Sequence, residues 1–290
     1  MCDEHTAHDN ELYLTDAAVS RRRFAAIAGA AGLVAMLPRP ANAQAISGRD
    51  VTITTPDGTC DAYFVAPAKG RHPAVLVWPD IMGLRPAFRQ MADRLAQSGY
   101  AVLTVNQFYR SVKAPFLKAG ESFDQPEVRA RIMPWRASLT QDATRRDASA
   151  FITWLDKQKQ VDSKRGLAST GYCMGGPMVM LTAADHPGRV RAGASFHGGG
   201  LATDKPDSPH LLVPKMKAGF LFAVAENDDQ RNPKEKELVR EAFAAAKLPA
   251  EIEVYIGTMH GWCPPDSRVY NAAQADRAWD RMLALFKTQL

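Results

Sequence analysis

Gly171-Tyr172-Cys173-Met174-Gly175-Gly176 constrains the fold of this chain more than any other stretch. It follows an apolar run, Leu167 to Tyr172, and opens a small-residue helix, Pro177 to Ala184. A strand that turns sharply into a helix, with a nucleophile at the corner and glycines around it, is a nucleophile elbow. Cysteine stands here where serine usually does. The glycines are required because strand and helix approach too closely for neighbouring side chains. A thiol at a helix N-terminus also feels the positive end of the helix dipole, which raises its thiolate fraction. A buried structural cysteine beside a glycine turn would ask nothing more of the chain. An elbow asks for an acid and then a histidine downstream.

Both follow in that order. Lys217 to Ala225 is a strand-like run ending in Glu226-Asn227-Asp228-Asp229. Ile252 to Ile256 is another, followed by Gly257-Thr258-Met259-His260-Gly261-Trp262. Acid and histidine fall just past the C-terminal ends of strands, where open α/β sheets place ligand sites. Cys173, Asp228 and His260 therefore stand in the order of an α/β-hydrolase triad.

The remaining pattern agrees with that fold. Val51 to Thr55 and Cys60 to Val65 alternate as an antiparallel hairpin around Pro56-Asp57-Gly58. Ala74 to Trp78 and Ala101 to Val105 are buried-strand runs, and Phe88 to Ala96 between them has helical spacing and stops before Gly99. Strand, helix, strand, repeated, predicts a mostly parallel central sheet with helices on both faces and an N-terminal antiparallel hairpin. Residues 107–137 carry Pro115, Gly120, Pro126 and Pro134 and show no clear element, a length that often serves as a lid. Leu139 to Gln158 returns to a long amphipathic helix, His197 through Pro214 is a loop on the elbow side, and Val269 to Leu290 is the final helix.

The N-terminal segment stands apart from this domain. Ser20-Arg21-Arg22-Arg23-Phe24 precedes an apolar stretch, Ala25 to Leu37, and then Ala41-Asn42-Ala43. A twin arginine, a short apolar region and a small-x-small cleavage site predict a twin-arginine signal peptide over residues 1–43, leaving one domain over 44–290. The apolar stretch is well short of the about 20 residues that a membrane-spanning helix needs. The expectation is a periplasmic or secreted protein that meets the twin-arginine export machinery and has no membrane partner after cleavage. Residues 44–290 carry 32 Lys/Arg and 26 Asp/Glu, a net +6 spread without a basic block; this is a solvated surface, which excludes a nucleic-acid footprint. Cys60, Cys173 and Cys263 remain after cleavage, an odd number that leaves at least one free thiol or an intermolecular bond. An oxidising compartment allows a Cys60–Cys263 pair, although both also read as isolated small apolar residues.

From Val51 to the C-terminus the chain resembles the dienelactone hydrolase (carboxymethylenebutenolidase) family. The Gly-x-Cys-x-Gly-Gly elbow, the strand ending in an acid, and His260-Gly261-Trp262 carry the resemblance. It implies a Cys-Asp-His triad that hydrolyses a lactone or ester through a thioester, with neither metal nor organic cofactor. Cys173 would be the nucleophile, His260 the base and then acid, and Asp228 the group orienting the imidazole, with Asp229 the alternative acid. The Met174 and Ile81 amides would form the oxyanion hole. The family usually carries glutamate at the position of Asp80, where it acts as a switch against the thiol. Its substrate-binding pair is matched by Arg131 and Trp135, and Trp262 completes the expected substrate contacts. Dienelactone-cleaving members also place an arginine four residues after the catalytic histidine; here that residue is Pro264. A substrate other than dienelactone is consistent with that loss.

Thiolates are good nucleophiles and good leaving groups, which favours enol lactones and activated esters over amides. The expected partner is thus a small-molecule ester or lactone. A broad-specificity carboxylesterase uses the same triad, and a redox-active or binding protein on a hydrolase scaffold is the reading from another class. No Cys-x-x-Cys partner supports that last reading, and it leaves Asp228 and His260 without a purpose.

Overall fold

The structure is a computed structural model that describes residues 4–15, 37–38, 40 and 42–290. The twin arginine and the apolar stretch up to residue 36 lie outside the described residues.

Eight strands form one sheet: β1 (Ile46–Thr55), β2 (Gly58–Pro67), β3 (Ala74–Trp78), β4 (Ala101–Val105), β5 (Leu167–Tyr172), β6 (Val190–Phe196), β7 (Gly219–Ala225) and β8 (Ala250–Tyr255). Their spatial order is β1-β2-β4-β3-β5-β6-β7-β8. The hairpin β1–β2 and its junction with β4 are antiparallel, and every later pairing is parallel. The sheet is thus the expected mostly parallel one with an antiparallel N-terminal edge. Strands β3, β4 and β5 are buried along their whole length, because helices cover both faces and leave no side for polar residues.

The described helices are α1 (Glu4–Thr15), α2 (Pro86–Gln97), α3 (Pro126–Ser138), α4 (Gln141–Asp156), α5 (Gly175–Asp185), α6 (Glu226–Arg231), α7 (Pro233–Ala245) and α8 (Ala272–Gln289). One face of the sheet presents Phe64, Leu76, Leu103 and Phe222 to Phe151 of α4, Val179 of α5 and Phe243 of α7. The other presents Val75, Val102 and Leu221 to Phe88 of α2 and to Trp279 and Phe286 of α8. Strand alternation decides which face each residue serves. In α2, Phe88, Met91, Ala92 and Leu95 recur at helical spacing and are buried. Thr140 caps α4 by accepting from the Ala143 amide at 3.2 Å, and Asn271 caps α8 by accepting from Gln274 at 3.3 Å.

One expectation changes, and one open alternative is decided in favour of isolated cysteines. Residues 107–137 are not without an element, since α3 begins with Pro126 at its first turn and runs on through Pro134. Cys60 and Cys263 lie in the cores on opposite faces of the sheet, and both are free thiols. The sheet itself separates them beyond the few ångströms a disulfide requires.

Candidate active site

The chain leaves β3 for β4 on one side and reaches β5 on the other. That reversal opens a crevice at the C-terminal ends of β3 and β5, where this class of sheet holds ligands. Cys173 stands at the end of β5 with φ 55°, a left-handed conformation rare for a residue with a side chain. Its amide donates to the Phe196 carbonyl at 3.0 Å, and its carbonyl accepts from Gly176 at 3.0 Å. The glycines around it are steric necessities. A Cβ on Gly171 would lie 2.2 Å from the Gly175 carbonyl oxygen, and one on Gly175 would lie 2.4 Å from that of Trp78. The thiol therefore sits at the N-terminus of α5 in a turn that the neighbouring backbone enforces.

His260 follows β8, and Asp228 lies in the short helix α6 that follows β7. The imidazole Nδ1 is 2.7 Å from Asp228 Oδ2, and the ring is 2% exposed. Two neighbours hold these loops together. The His260 amide donates to Asn227 Oδ1 at 2.8 Å, and the Gly257 amide donates to Glu226 Oε2 at 2.7 Å. Of the adjacent acids, Asp228 faces His260, whereas Asp229 is held by Lys236 Nζ at 2.6 and 2.7 Å. Burial alone would depress the His260 pKa. The charges of Asp228 and Cys173, and hydrogen bonds to both, outweigh it and raise the imidazole to about 10. Cys173 and His260 thus form a coupled pair with the carboxylate behind it.

A raised histidine pKa links to stability with a fixed sign. The contribution is fully present below the unfolded value of 6.5 and is lost as pH rises through about 10. The stability deficit of His260→Gln against wild type is therefore expected to be largest near pH 6 and to close as pH approaches about 10. Urea unfolding at a series of pH values measures it; a deficit that widens with pH would contradict the assigned coupling.

Cys173, His260, Ile81 and Asp80 line a common cavity of about 400 Å³. The Ile81 amide follows β3 and the Met174 amide opens α5. Neither donates a hydrogen bond among the described residues. Asp80 is engaged more fully than a switch would be. Its two oxygens lie 2.6 and 3.0 Å from the Arg85 guanidinium, and the Met82 amide donates to it at 2.9 Å. Any swing toward the thiol would break a buried, two-point ion pair.

The other expected substrate contacts are not on the cavity wall. Arg131 pairs with Glu121 at 2.5 Å, and the wall carries Glu121 instead. Trp135 packs edge-on against Phe116 at 5.3 Å and reaches the cavity only through that ring. Trp262 is fully buried in the core and stacks on Tyr255 at 4.9 Å. Its indole also lies 6.5 Å from the His197 ring and belongs to the core on that face of the sheet.

The sequence reading missed a second imidazole. His197 directly follows β6 with φ 39°, is fully buried, lines the cavity and meets the His260 ring edge-on at 5.1 Å. Neither of its ring nitrogens has a hydrogen-bond partner among the described residues. Burial, with the nearby His260 charge, holds its pKa well below the usual histidine value, so it stays neutral. From α1, Thr6 and Asn10 also line the cavity, and Asp9 pairs with Arg231 near the histidine loop. Among the described residues no group of three His, Cys, Asp or Glu side chains converges as a metal site would.

The chain and its fold have known relatives. The model of the dienelactone hydrolase family matches residues 60–290. A protein of Escherichia coli (strain K12), provisionally named carboxymethylenebutenolidase, is 27% identical over 78% of this chain and 81% of its own length. A protein of the same provisional name from Synechocystis sp. (strain ATCC 27184 / PCC 6803 / Kazusa) is 27% identical over 83% and 96%. The crystal structure of a provisionally named dienelactone hydrolase from Klebsiella pneumoniae superposes with a TM-score of 0.72 at 25% identity, covering 84% of this chain and 99% of that one.

Proposed function

The chain belongs to the dienelactone hydrolase family and is an α/β-fold hydrolase of ester or lactone bonds; from that premise we propose that Cys173 carries the acyl group as a thioester. The observation that supports this reading is the continuous line from the Cys173 thiol through His260 to Asp228, at the ends of β5, β8 and β7.

In this reading the Cys173 thiolate, paired with protonated His260, attacks the carbonyl carbon. The developing oxyanion is met by the Ile81 and Met174 amides, each worth about 3 kcal/mol in the transition state. His260 then gives its proton to the departing alkoxide or enolate oxygen, which opens a lactone or releases an alcohol. The neutral imidazole next takes a proton from water, the resulting hydroxide attacks the thioester, and the acid leaves as the thiolate is restored. Asp228 fixes which ring nitrogen faces the sulfur and offsets the imidazolium charge.

Intact-protein mass spectrometry with a panel of enol lactones and aryl esters tests it, beside Cys173→Ala. An adduct on Cys173 that forms and decays, absent in the variant, is the expected result. Turnover of these substrates by Cys173→Ala at the wild-type rate would refute the thioester.

The N-terminal pattern supports export by the twin-arginine route to the periplasm or beyond. A protein beginning at Gln44 lacks the Thr6 and Asn10 side chains that border the cavity in the full chain. Its kcat/KM on bulky aryl esters is therefore expected to exceed that of the full chain several-fold, through KM. Equal values would show that α1 does not restrict entry.

A further inference from the structure

The cavity holds two guanidinium groups, Arg85 and Arg268, and four carboxylates, Asp80, Glu121, Asp124 and Asp266. Arg85 has no donor left to offer. Its Nε and one Nη2 proton go to the two oxygens of Asp266, at 2.6 and 2.9 Å. Its remaining three go to Asp80 at 2.6 and 3.0 Å and to the Gly83 carbonyl at 3.3 Å. An arginine has five N–H donors, and these contacts use all five. Arg268, half exposed at the rim, already faces Asp124 at 3.1 Å. A substrate carboxylate entering this space would meet four carboxylates, each already paired with an arginine, and no uncommitted cation, because the His260 imidazolium is itself held between Asp228 and the Cys173 thiolate. An added negative charge would find no partner there.

Apart from these paired charges, the wall offers uncharged groups. Met82, Phe116, Leu117 and Phe123 supply apolar surface in the same cavity as the thiol. His197 supplies a neutral imidazole with one donor and one acceptor and no protein partner among the described residues. That imidazole is suited to a carbonyl, ether or hydroxyl group and gains little from a carboxylate that would draw a proton onto a fully buried ring.

We propose that this site selects uncharged esters or lactones and rejects those whose acyl chain carries a carboxylate into the cavity. The inference rests on the hydrolase reading above and gives that reading its substrate class. Arg85 on this view is a positioning residue that ties Asp80 after β3 to Asp266 after β8, and does not receive substrate.

The test uses a pair of substrates that differ only in charge: the para-nitrophenyl ester of adipic acid with its far end free, and the same ester with its far end methylated. Wild type is expected to prefer the methylated ester by at least about tenfold in kcat/KM. Raising the salt concentration should narrow that ratio. Asp266→Asn, which returns a donor to Arg85, should narrow it too, with thermal melting as the folding control. Arg268→Gln should leave the preference standing. A wild-type preference for the free acid, or a ratio that neither salt nor Asp266→Asn alters, overturns the proposal. Calorimetric binding of the same pair to Cys173→Ala reads the selectivity without any chemistry. The proposal can therefore fail there while a Cys173 adduct forms, or hold there while no adduct forms, and the two failures are distinct.

Discussion

Replacing Cys173 by alanine is expected to lower kcat/KM on every accepted ester by about four orders of magnitude or more, leaving only what the oxyanion donors and binding supply. The more informative substitution is Cys173→Ser. A thiol hands its proton to an imidazole raised to about 10 and persists as a thiolate beside an imidazolium. A serine hydroxyl does not ionise in that way and needs a neutral imidazole to draw its proton during attack. Part of what raises His260 is the charge of Cys173 itself, so the serine variant also changes its base. Intermediate activity, about 10²–10⁴ below wild type and rising with pH, is the expected outcome. Serine at full rate would mean that the pair does not react as a preformed ion pair. Steady-state kinetics from pH 6 to 9 on one aryl ester decides it, with melting curves confirming the fold.

The legibility of this molecule divides along physical lines. Strands β3, β4 and β5 are readable because both of their faces are buried, so they appear as unbroken apolar runs. Strand β6 escaped because Val190-Arg191-Ala192-Gly193-Ala194-Ser195-Phe196 is rich in small residues with little strand preference. Packing explains that composition: a Cβ on Gly193 would lie 2.3 Å from the Phe220 ring, so the strand is thinned to admit its neighbour. Missing β6 also hid His197, which that strand delivers to the cavity. Helix α7 escaped for the opposite reason, since charged residues dominate it and only Val239 and Phe243 are buried.

Cys173, Asp228 and His260 were readable because each lies at the end of a strand in a fixed chain order. The cavity wall has no such order. Arg85 joins Asp80, five residues away, to Asp266, 181 residues away, and no local pattern announces that meeting. Arg131 and Trp135 failed as substrate contacts because spacing along a helix says which side chains share a face, not which face turns to the cavity. Arg131 turns to Glu121, and Trp135 joins the cluster of Phe108 and Phe116.

The adjacent acids give the second large effect, and its value lies in the contrast. Asp228→Asn keeps the volume and a hydrogen-bonding group beside His260 Nδ1 but removes the charge that raises the imidazole. An amide can also present its N–H to the ring, which selects the wrong tautomer and leaves the nitrogen facing Cys173 protonated without an imidazolium to stabilise. A fall in kcat of about 10³–10⁴ is expected. Asp229→Asn breaks only a part-exposed pair with Lys236. Its kcat should stay within about twofold of wild type, with a stability loss of at most about 1 kcal/mol. Geometry makes the contrast sharp, because consecutive residues of α6 point their carboxylates to different partners. A reversed result, with Asp229→Asn inactive and Asp228→Asn active, would require α6 to turn by one residue in the working enzyme. That rotation would also withdraw Asn227 from the His260 amide, so Asn227→Ala supplies an independent check. If α6 holds the histidine loop as described, Asn227→Ala should reduce kcat by misplacing the imidazole, while Asp229→Asn remains active.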